Sequence, residues 1–538
     1  MPLHRLRAVL AMTVLLPLAA CTLGSGATLP TSGSATLAAH PSSVVNEPQA
    51  TAAGALPPEL PGVVAPRCVN ATPGWFEREL ASPGQRVQLP RGRSAVQADE
   101  PAVQGYLDRT YAACGEHLGV HLAATTPTRV VVEAIRVGDY HGFRGRLVWR
   151  SAPVAVGRHP HLPMPAHVTQ DNAWPTTLDV MPTATWSPGL YVIRFHDLDK
   201  GAADTYQPLY VLTSGQHAAY LAIGSDLTQL AYNQAGGRSL YFGDGSTKES
   251  QRLHRAYVAS THRALLTTGG GALFAMDVPL AVLLARHHIT ADWTSDMSLD
   301  ADPTQLNGYA TAILPGHSEY WTRRNYDTLS IAVGHGTNLA VLGANEIYWQ
   351  PRLQRDSLGN VTSMTVYRLK ALDPTTVQTD KTTEWRDAPL SRDPASLTGL
   401  GMSGVGIQGD GVVQSTPAWL FKGTGLKVGS VLPRLYGNEG DGPLDPHAPP
   451  NTQILLRSNA QLPNHKTVVV ATAYYSAPSG AGVFNAGTTE WVCGITDLCT
   501  EPPRSTQVRR AADQITANLL AAFARPRAGL RYPSKAGA

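Results

Sequence analysis

The chemistry-bearing residues of this chain gather where short apolar runs end. After YATAILPG (309–316) come His317, Ser318, Glu319, Tyr320 and Trp321. A His-x-Glu pair can work as an acid and a base or supply metal ligands. After TNLAVLGAN, which ends at Asn345, come Glu346, Tyr348 and Trp349. After YLAIGS (220–225) the chain reaches Tyr232, Asn233, Gly236, Gly237 and Tyr241. If the three runs are strands of one open α/β sheet, their carboxyl ends share a crevice, which is where such sheets bind ligands. The plain alternative is a polar sheet edge with aromatic packing. Other signatures are missing. Ser403 in GMSGVG lacks the second glycine of a G-x-S-x-G elbow. No P-loop and no H-E-x-x-H occurs. His117 and His121 have i, i+4 spacing but no third ligand nearby, so they read as surface histidines rather than a zinc site.

The elements that must hold these residues change in kind along the chain. Residues 67–213 read as short strands (RVVVEAIRVGDY, GRLVWRSAPVAV, GLYVIRFHDL, PLYVLTS) parted by Gly and Pro clusters, with one short helix near Tyr106–His117. That pattern predicts a β-sandwich-like domain. From 214 to about 530, fully apolar strands alternate with helical stretches such as MDVPLAVLLARHHI and NYDTLSIAVGHG. Alternation of that kind predicts an α/β domain on a parallel sheet. Within it, residues 346–466 are rich in Gly and Pro and read as an irregular insertion. KTVVVATAYYS returns to strand, and the tail predicts a helix capped at Ser505 and stopped before Pro526.

The 538 residues suffice for at least two domains, and 43% apolar with 15% charged residues excludes a disordered chain. A net charge of +3 gives no basic footprint for nucleic acid. Arg5 and Arg7 precede an apolar run, Ala8–Ala20, too short to span a bilayer. The run ends in Leu18-Ala19-Ala20-Cys21, which resembles a bacterial lipobox. Residues 1–21 are therefore expected to be a lipoprotein signal peptide, with Cys21 lipidated and residues 22–66 a flexible linker. The membrane would be met through that lipid alone, outside the cytoplasm. Four cysteines remain, Cys68, Cys114, Cys493 and Cys499, with three possible pairings. Proximity favours Cys68–Cys114 and Cys493–Cys499.

AYNQAGGRSLY, ILPGHSEYWTRRNYDTLSIAVGHGTNLAVLGANEIYWQPRL and VFNAGTTEW resemble the large (β) subunit-like C-terminal domain of N,N-dimethylformamidase and its bacterial relatives. The likeness continues upstream through VVVEAIRVGDYHGFRGRLVWRS and WSPGLYVIRF. It implies a β-sandwich-like portion followed by a glutamine-amidotransferase-like, flavodoxin-like doubly wound sheet. It also implies a mononuclear iron held by two tyrosines and a glutamate. The glutamate of the G-H-x-E-Y-W motif matches Glu319, and the tyrosine of A-Y-N matches Tyr232. The second tyrosine matches Tyr191, with Tyr206, Tyr210 and Tyr241 also near. His317, Asn345 and Glu490 match the motif histidine, the asparagine after the next strand and the acid of the G-T-x-E-W strand, as catalytic groups. The chain departs from the family at Arg368 in SMTVYR, which offers no deprotonatable lysine.

Three anionic oxygen donors suit ferric iron better than zinc. Tyrosine, with a pKa of about 10, stays deprotonated at neutral pH only on a strongly Lewis-acidic ion. The implied activity is hydrolysis of a linear amide C–N bond in a small molecule of unknown identity. Nothing in the chain corresponds to the small partner subunit of dimethylformamidase. The rival expectation is a non-catalytic surface protein that uses the same fold to bind, for example, cell-wall glycans.

Overall fold

The computed structural model describes residues 68–92, 101–243, 247–266, 273–443, 445–499 and 502–535. The expected signal peptide, Cys21 and the linker over 22–66 lie outside the described residues.

The β-branched run of Thr128–Tyr140 forms a long central strand. It sits in a seven-stranded sheet between Phe143–Arg150 and Gly189–Asp197, with Thr205–Val211 beyond the latter. Alternate residues Val130, Val132 and Ala134 face a second, three-stranded sheet (Val103–Leu107, Leu118–Ala124, Leu178–Val180). Leu107, Leu118, Val120 and Leu122 complete that shared core. Opposite Ala134 and Ile135 the neighbouring strand carries an extra residue, Val148. Ile135 and Val137, on the opposite face by the strand's own alternation, join the other core, with the helix Asp277–Arg286. The helix expected near Tyr106–His117 is absent; that stretch forms the strands Val103–Leu107 and Tyr111–Ala112. Tertiary packing overrides local preference here. Gly105 lies so close to Phe195 that a Cβ would come within 2.6 Å of its ring, which presses this stretch flat onto the sheet.

Five short, fully buried strands make the parallel half of a nine-stranded sheet. In chain order they are Tyr220–Gly224, Ala291–Ser295, Thr311–Leu314, Asn338–Val341 and Gly482–Asn485. Numbered so, they lie side by side as 2-1-3-4-5, all parallel. The mixed arrangement is an α/β fold, with Asp277–Arg286, Arg323–Gly334 and Thr506–Phe523 among its helices. Ser505 caps the last of these by accepting from Val508 N. Its buried stripe, Val508, Ile515, Leu519 and Phe523, joins the main core, and each such side chain contributes about 1.5–3 kcal/mol. Carbonyls at its end accept from the Tyr220 and Thr311 hydroxyls (2.6 and 2.7 Å), tying it to the N-terminal ends of two parallel strands.

The region 346–466 differs from the irregular insertion expected of it. It carries the strands Gly401–Val413, Val431–Gly442 and Gln453–Gln461, which, with Thr467–Ser476, extend the main sheet in antiparallel fashion. Two further strands, Arg352–Arg355 and Val361–Thr365, form a small separate sheet with Val258–Ser260, in which Val361–Thr365 lies between the other two. The glycines that weaken the sequence signal serve the packing. Register shifts punctuate Gly401–Val413 at three places. A Cβ on Gly440 would meet Ile407 at 2.4 Å.

Disulfides join Cys68 to Cys114 and Cys493 to Cys499, each with Cα atoms 5.3 Å apart. Such bonds suit an oxidising, extracytoplasmic compartment. Among the described residues no helix is long and apolar enough to cross a membrane.

Candidate functional site

The carboxyl ends of the first, third and fourth parallel strands supply most of the site. Tyr220–Gly224 runs into the helix Asp226–Tyr232, whose last residue is Tyr232. A turn built on Ser239, whose Oγ accepts from the N–H groups of Tyr241 and Phe242, brings Tyr241 back beside it. The two rings stack with centroids 4.0 Å apart. Thr311–Leu314 leads to His317 and Glu319. Asn338–Val341 leads to Gly343 and then to Asn345, which takes a left-handed backbone with φ 55°. The last two loops touch: a Cβ on Gly343 would come 2.3 Å from Gly316 O, so only glycine fits there.

Glu319 is the hub. Its Oε2 accepts from Tyr241 Oη, and its Oε1 accepts from Trp349 Nε1 at 3.0 Å. Tyr320 Oη donates to Tyr241 Oη at 2.9 Å, and Arg368 donates to Tyr320 Oη at 2.6 Å. The Arg368 guanidinium also lies 3.8 Å over the Tyr241 ring. The fully buried His317 donates from Nδ1 to Ala344 O at 3.1 Å. That fixes its ring. Its Nε2 faces Glu319 at 3.5 Å and Glu439 at 3.7 Å without a hydrogen bond. Asn345 donates from Nδ2 to Glu439 Oε2 at 2.8 Å, while its Oδ1 has no partner. Glu346 accepts from Ser318 N through Oε2, and its Oε1 is unpaired.

Burial would raise the Glu319 pKa, but His317, Arg368 and Tyr241 outweigh it and hold the carboxyl below its ordinary range. Burial alone would depress His317; the carboxylates of Glu439, Glu319 and Glu346 push it up to about 10. The phenols of Tyr232 and Tyr241 are raised well above 10, first by burial and then by Glu319. Burial also lifts Glu346 well above its usual value and Asp441 to about 6. The site is therefore rich in oxygens that gain from an added positive charge. A multivalent cation would invert this logic, drawing protons off the phenols.

Behind the helix Asp226–Tyr232 lies a second acidic group, Asp226, Asp277 and Asp296. Burial raises all three, Asp226 to about 6 and Asp277 to about 7. Tyr210 Oη, Gln229 Nε2 and Ser225 Oγ donate to Asp277.

Of the residues singled out in the sequence, the structure gathers Tyr232, His317, Glu319 and Asn345. It does not bring Tyr191 to them. Tyr191 sits in Gly189–Asp197 with its side chain in the core between the two β sheets, stacked on Trp186 (5.1 Å) and donating to Ser187 O. Its hydroxyl belongs instead with Arg136, Glu79 and Tyr140. Tyr206 packs edge-on against Phe274 and Tyr210 bonds Asp277, so of the nearby tyrosines Tyr241 alone touches Glu319. Glu490 pairs with the buried Arg504 at 3.1 Å, at the start of the helix Trp491–Thr496. His121 lies on a strand, paired with Asp108 and stacked on Tyr106, and His117 is exposed. Glu439, Glu346, Tyr320 and Trp349 complete the cluster. Glu439 lies deep in the Gly-rich stretch, away from any apolar strand end, and the acid pair in Asn438-Glu439-Gly440-Asp441 was the available signal.

Residues 131–504 match the family described as N,N-dimethylformamidase beta subunit-like, C-terminal. No curated protein sequence matches the chain. Among solved structures, a Paenibacillus sp. cycloisomaltooligosaccharide glucanotransferase complexed with cycloisomaltoheptaose aligns at 10% identity over 49% of this chain, with a TM-score of 0.14. The chain spans about a third of that enzyme's length, 34%, and so distant a likeness carries no argument.

Proposed function

The chain belongs to the N,N-dimethylformamidase beta subunit-like family, and from that premise we propose that it is an iron-dependent amidohydrolase cleaving a linear amide C–N bond. Tyr232, Glu319 and Tyr241 would hold a mononuclear ferric ion, with Tyr241 in the role that linear likeness gave to Tyr191. The observation that carries this reading is the phenol of Tyr241 on the Glu319 carboxylate, stacked against Tyr232 and beside the unpaired Nε2 of His317. Those donors fit the group: hard oxygens, two of them phenols that only a strong Lewis acid ionises near neutral pH. The 2-1-3-4-5 strand order supports a flavodoxin-like sheet, and the cluster lies at its switch point between the first and third strands. The divisions at 67–213 and 214–530, and a β-sandwich-like character for the former, belong to the same proposal.

A ferric ion bound there supplies Lewis acidity that polarises an amide carbonyl and acidifies water. The chain's own groups handle the protons. His317, set between Glu319 and Glu439, can pass a proton to the departing amine nitrogen. Glu439, within reach of the same ring, can take a proton from the attacking water. Asn345 holds Glu439 in place through Nδ2, with its second N–H available to a developing oxyanion. Glu490 acts at a distance, by tethering Arg504. The substrate is a small amide, and a partner subunit remains part of the proposal. Cys21 would carry a lipid anchor, and Cys21→Ser should release the protein from membranes.

Metal analysis of protein from iron-replete cells tests the reading directly. Iron near one atom per chain, with a visible phenolate-to-iron band, supports it. Iron-free protein that hydrolyses no formamide or acetamide derivative sinks it.

A further inference from the structure

We propose that Asp393, Asp445 and His447 form a separate zinc site, where Asp393 and Asp445 line a cavity that also reaches Asn345 and Glu346. This inference goes beyond the amidohydrolase reading and does not rest on it.

Each of the three residues offers one ligand atom, and these atoms lie within 4.8 Å of one another. His447 Nδ1 is 3.4 Å from Asp393 Oδ2 and 3.2 Å from Asp445 Oδ1. The backbone has already prepared two of the donors. Asp393 Oδ1 accepts from Ala395 N at 2.9 Å, which fixes the carboxylate and leaves Oδ2 for an ion. Asp445 Oδ1 accepts from His447 N at 2.8 Å, so the Asp-x-His turn is formed before any ion arrives. Gly401 keeps the Asp445 carboxylate clear, since a Cβ there would stand 2.4 Å from its Oδ2.

A second observation comes from the cavity itself. Its volume is about 20 Å³, and Asn345, Glu346, Asp441, Asp393 and Asp445 line it. That is room for one water-sized occupant. Asn345 and Glu346 are each only 5% exposed, yet Asn345 Oδ1 and Glu346 Oε1 have no hydrogen-bond partner. Unpaired buried acceptors in a wall point to a cation or a hydrogen donor in the space it encloses. The one cationic side chain of the lining, Arg386, is already engaged by Glu384 and Tyr348 at 2.7 Å each.

The donor set selects the metal. An imidazole nitrogen with two carboxylates favours a transition metal over calcium or magnesium. Zinc takes such ligands and completes its shell with water, and the His447 side chain is 62% exposed, which admits that water. Bound there, zinc clips the turn before the helix Ala395–Thr398 to the loop after Val431–Gly442, and so braces one wall of the Glu319 site.

The test uses chelator-treated full-length protein titrated with zinc chloride. The expected result is one zinc ion per chain, and tetrahedral visible bands when cobalt replaces it. His447→Ala and Asp445→Asn should each weaken zinc binding about tenfold or more, with the far-ultraviolet circular dichroism unchanged. Glu319→Gln should leave zinc binding intact. Absence of zinc binding by wild type overturns the proposal. So does wild-type affinity in both Asp445→Asn and His447→Ala. Zinc lost in Glu319→Gln but kept in His447→Ala also overturns it, by placing the ion at the Glu319 centre. Loss of iron from Glu319→Gln with zinc retained bears on the amidohydrolase reading alone.

Discussion

Two buried clusters in this molecule are built from the same residue types, tyrosine, glutamate and arginine, and they end in opposite states. In the β region, Glu79 accepts from Arg146 twice (2.7 Å each), from Tyr140 at 2.8 Å and from Ser187 at 2.9 Å. Arg136 donates to Tyr140 Oη and Pro188 O, and Tyr191 to Ser187 O. No buried side-chain polar atom of these residues lacks a partner. Around Glu319, by contrast, His317 Nε2 and Arg368 Nε are unpaired. A saturated buried network rigidifies a scaffold, whereas an unsaturated one costs free energy until something fills it. The Glu79 cluster holds the β sheets to the helix Trp75–Ala81; the Glu319 cluster is shaped for a ligand.

Paired substitutions break or sharpen that contrast. The largest effect belongs to the two glutamates. Glu319→Gln should cut bound iron and amidase activity more than about tenfold, measured by elemental analysis and turnover. Glu79→Gln should leave iron stoichiometry alone and cost about 3–5 kcal/mol of stability in urea melts. Next come the tyrosines. Tyr241→Phe should bleach the visible band and lower iron affinity about tenfold, while Tyr191→Phe keeps both and loses about 1 kcal/mol. A colourless Tyr191→Phe beside a coloured Tyr241→Phe would exchange the roles of the two clusters.

The pH response comes third. Burial opposes ionisation of Glu79, but Arg136, Arg146 and Tyr140 win and lower its pKa. Its contribution is present above the unfolded value of 4.5 and is lost as pH falls through the folded one. Asp226 and Asp277 run the other way, raised to about 6 and about 7 from 3.8. Their contribution is complete below 3.8 and is lost as pH rises through about 6 to about 7. Melting temperature should therefore fall on both sides of mildly acidic pH. Asp277→Asn, which imitates the protonated acid, should flatten the alkaline side alone. The smallest effect is at Glu490. With Arg504 as its partner, Glu490→Gln should lower turnover less than about tenfold and shift iron content not at all.

The sequence made the strand ends readable because fully apolar runs leave few alternatives for a buried parallel strand. Tyr232, His317, Glu319 and Asn345 are legible that way, whereas the two disulfides follow from cysteine proximity and the Ser505 cap from the helical period of the tail. Tyr191 shows where linear likeness misleads. It alternates with Ile193 and Phe195 on the inward face of its strand, so the period of two already aimed it at the core. Tyr241 was harder, because its return to Glu319 depends on a turn around Ser239 that no hydrophobic period records. Glu439 was hidden for a third reason. Its strand is held by glycines that allow close contact between neighbours, and such glycines look like loop in one dimension.

The position of Gly482–Asn485 and of the helix Thr506–Phe523 also bears on how the molecule is made. The strand completes the parallel set beside Asn338–Val341, and the helix seals the lower ends of Tyr220–Gly224 and Thr311–Leu314. Both come late in the chain. During synthesis the earlier strands emerge with one edge unpaired and one face uncovered, and they stay so until residues 482–523 have followed. Assembly of the α/β region is thus a closing event rather than a progressive one, and its exposed edge is the stretch a chaperone would have to guard in the interval.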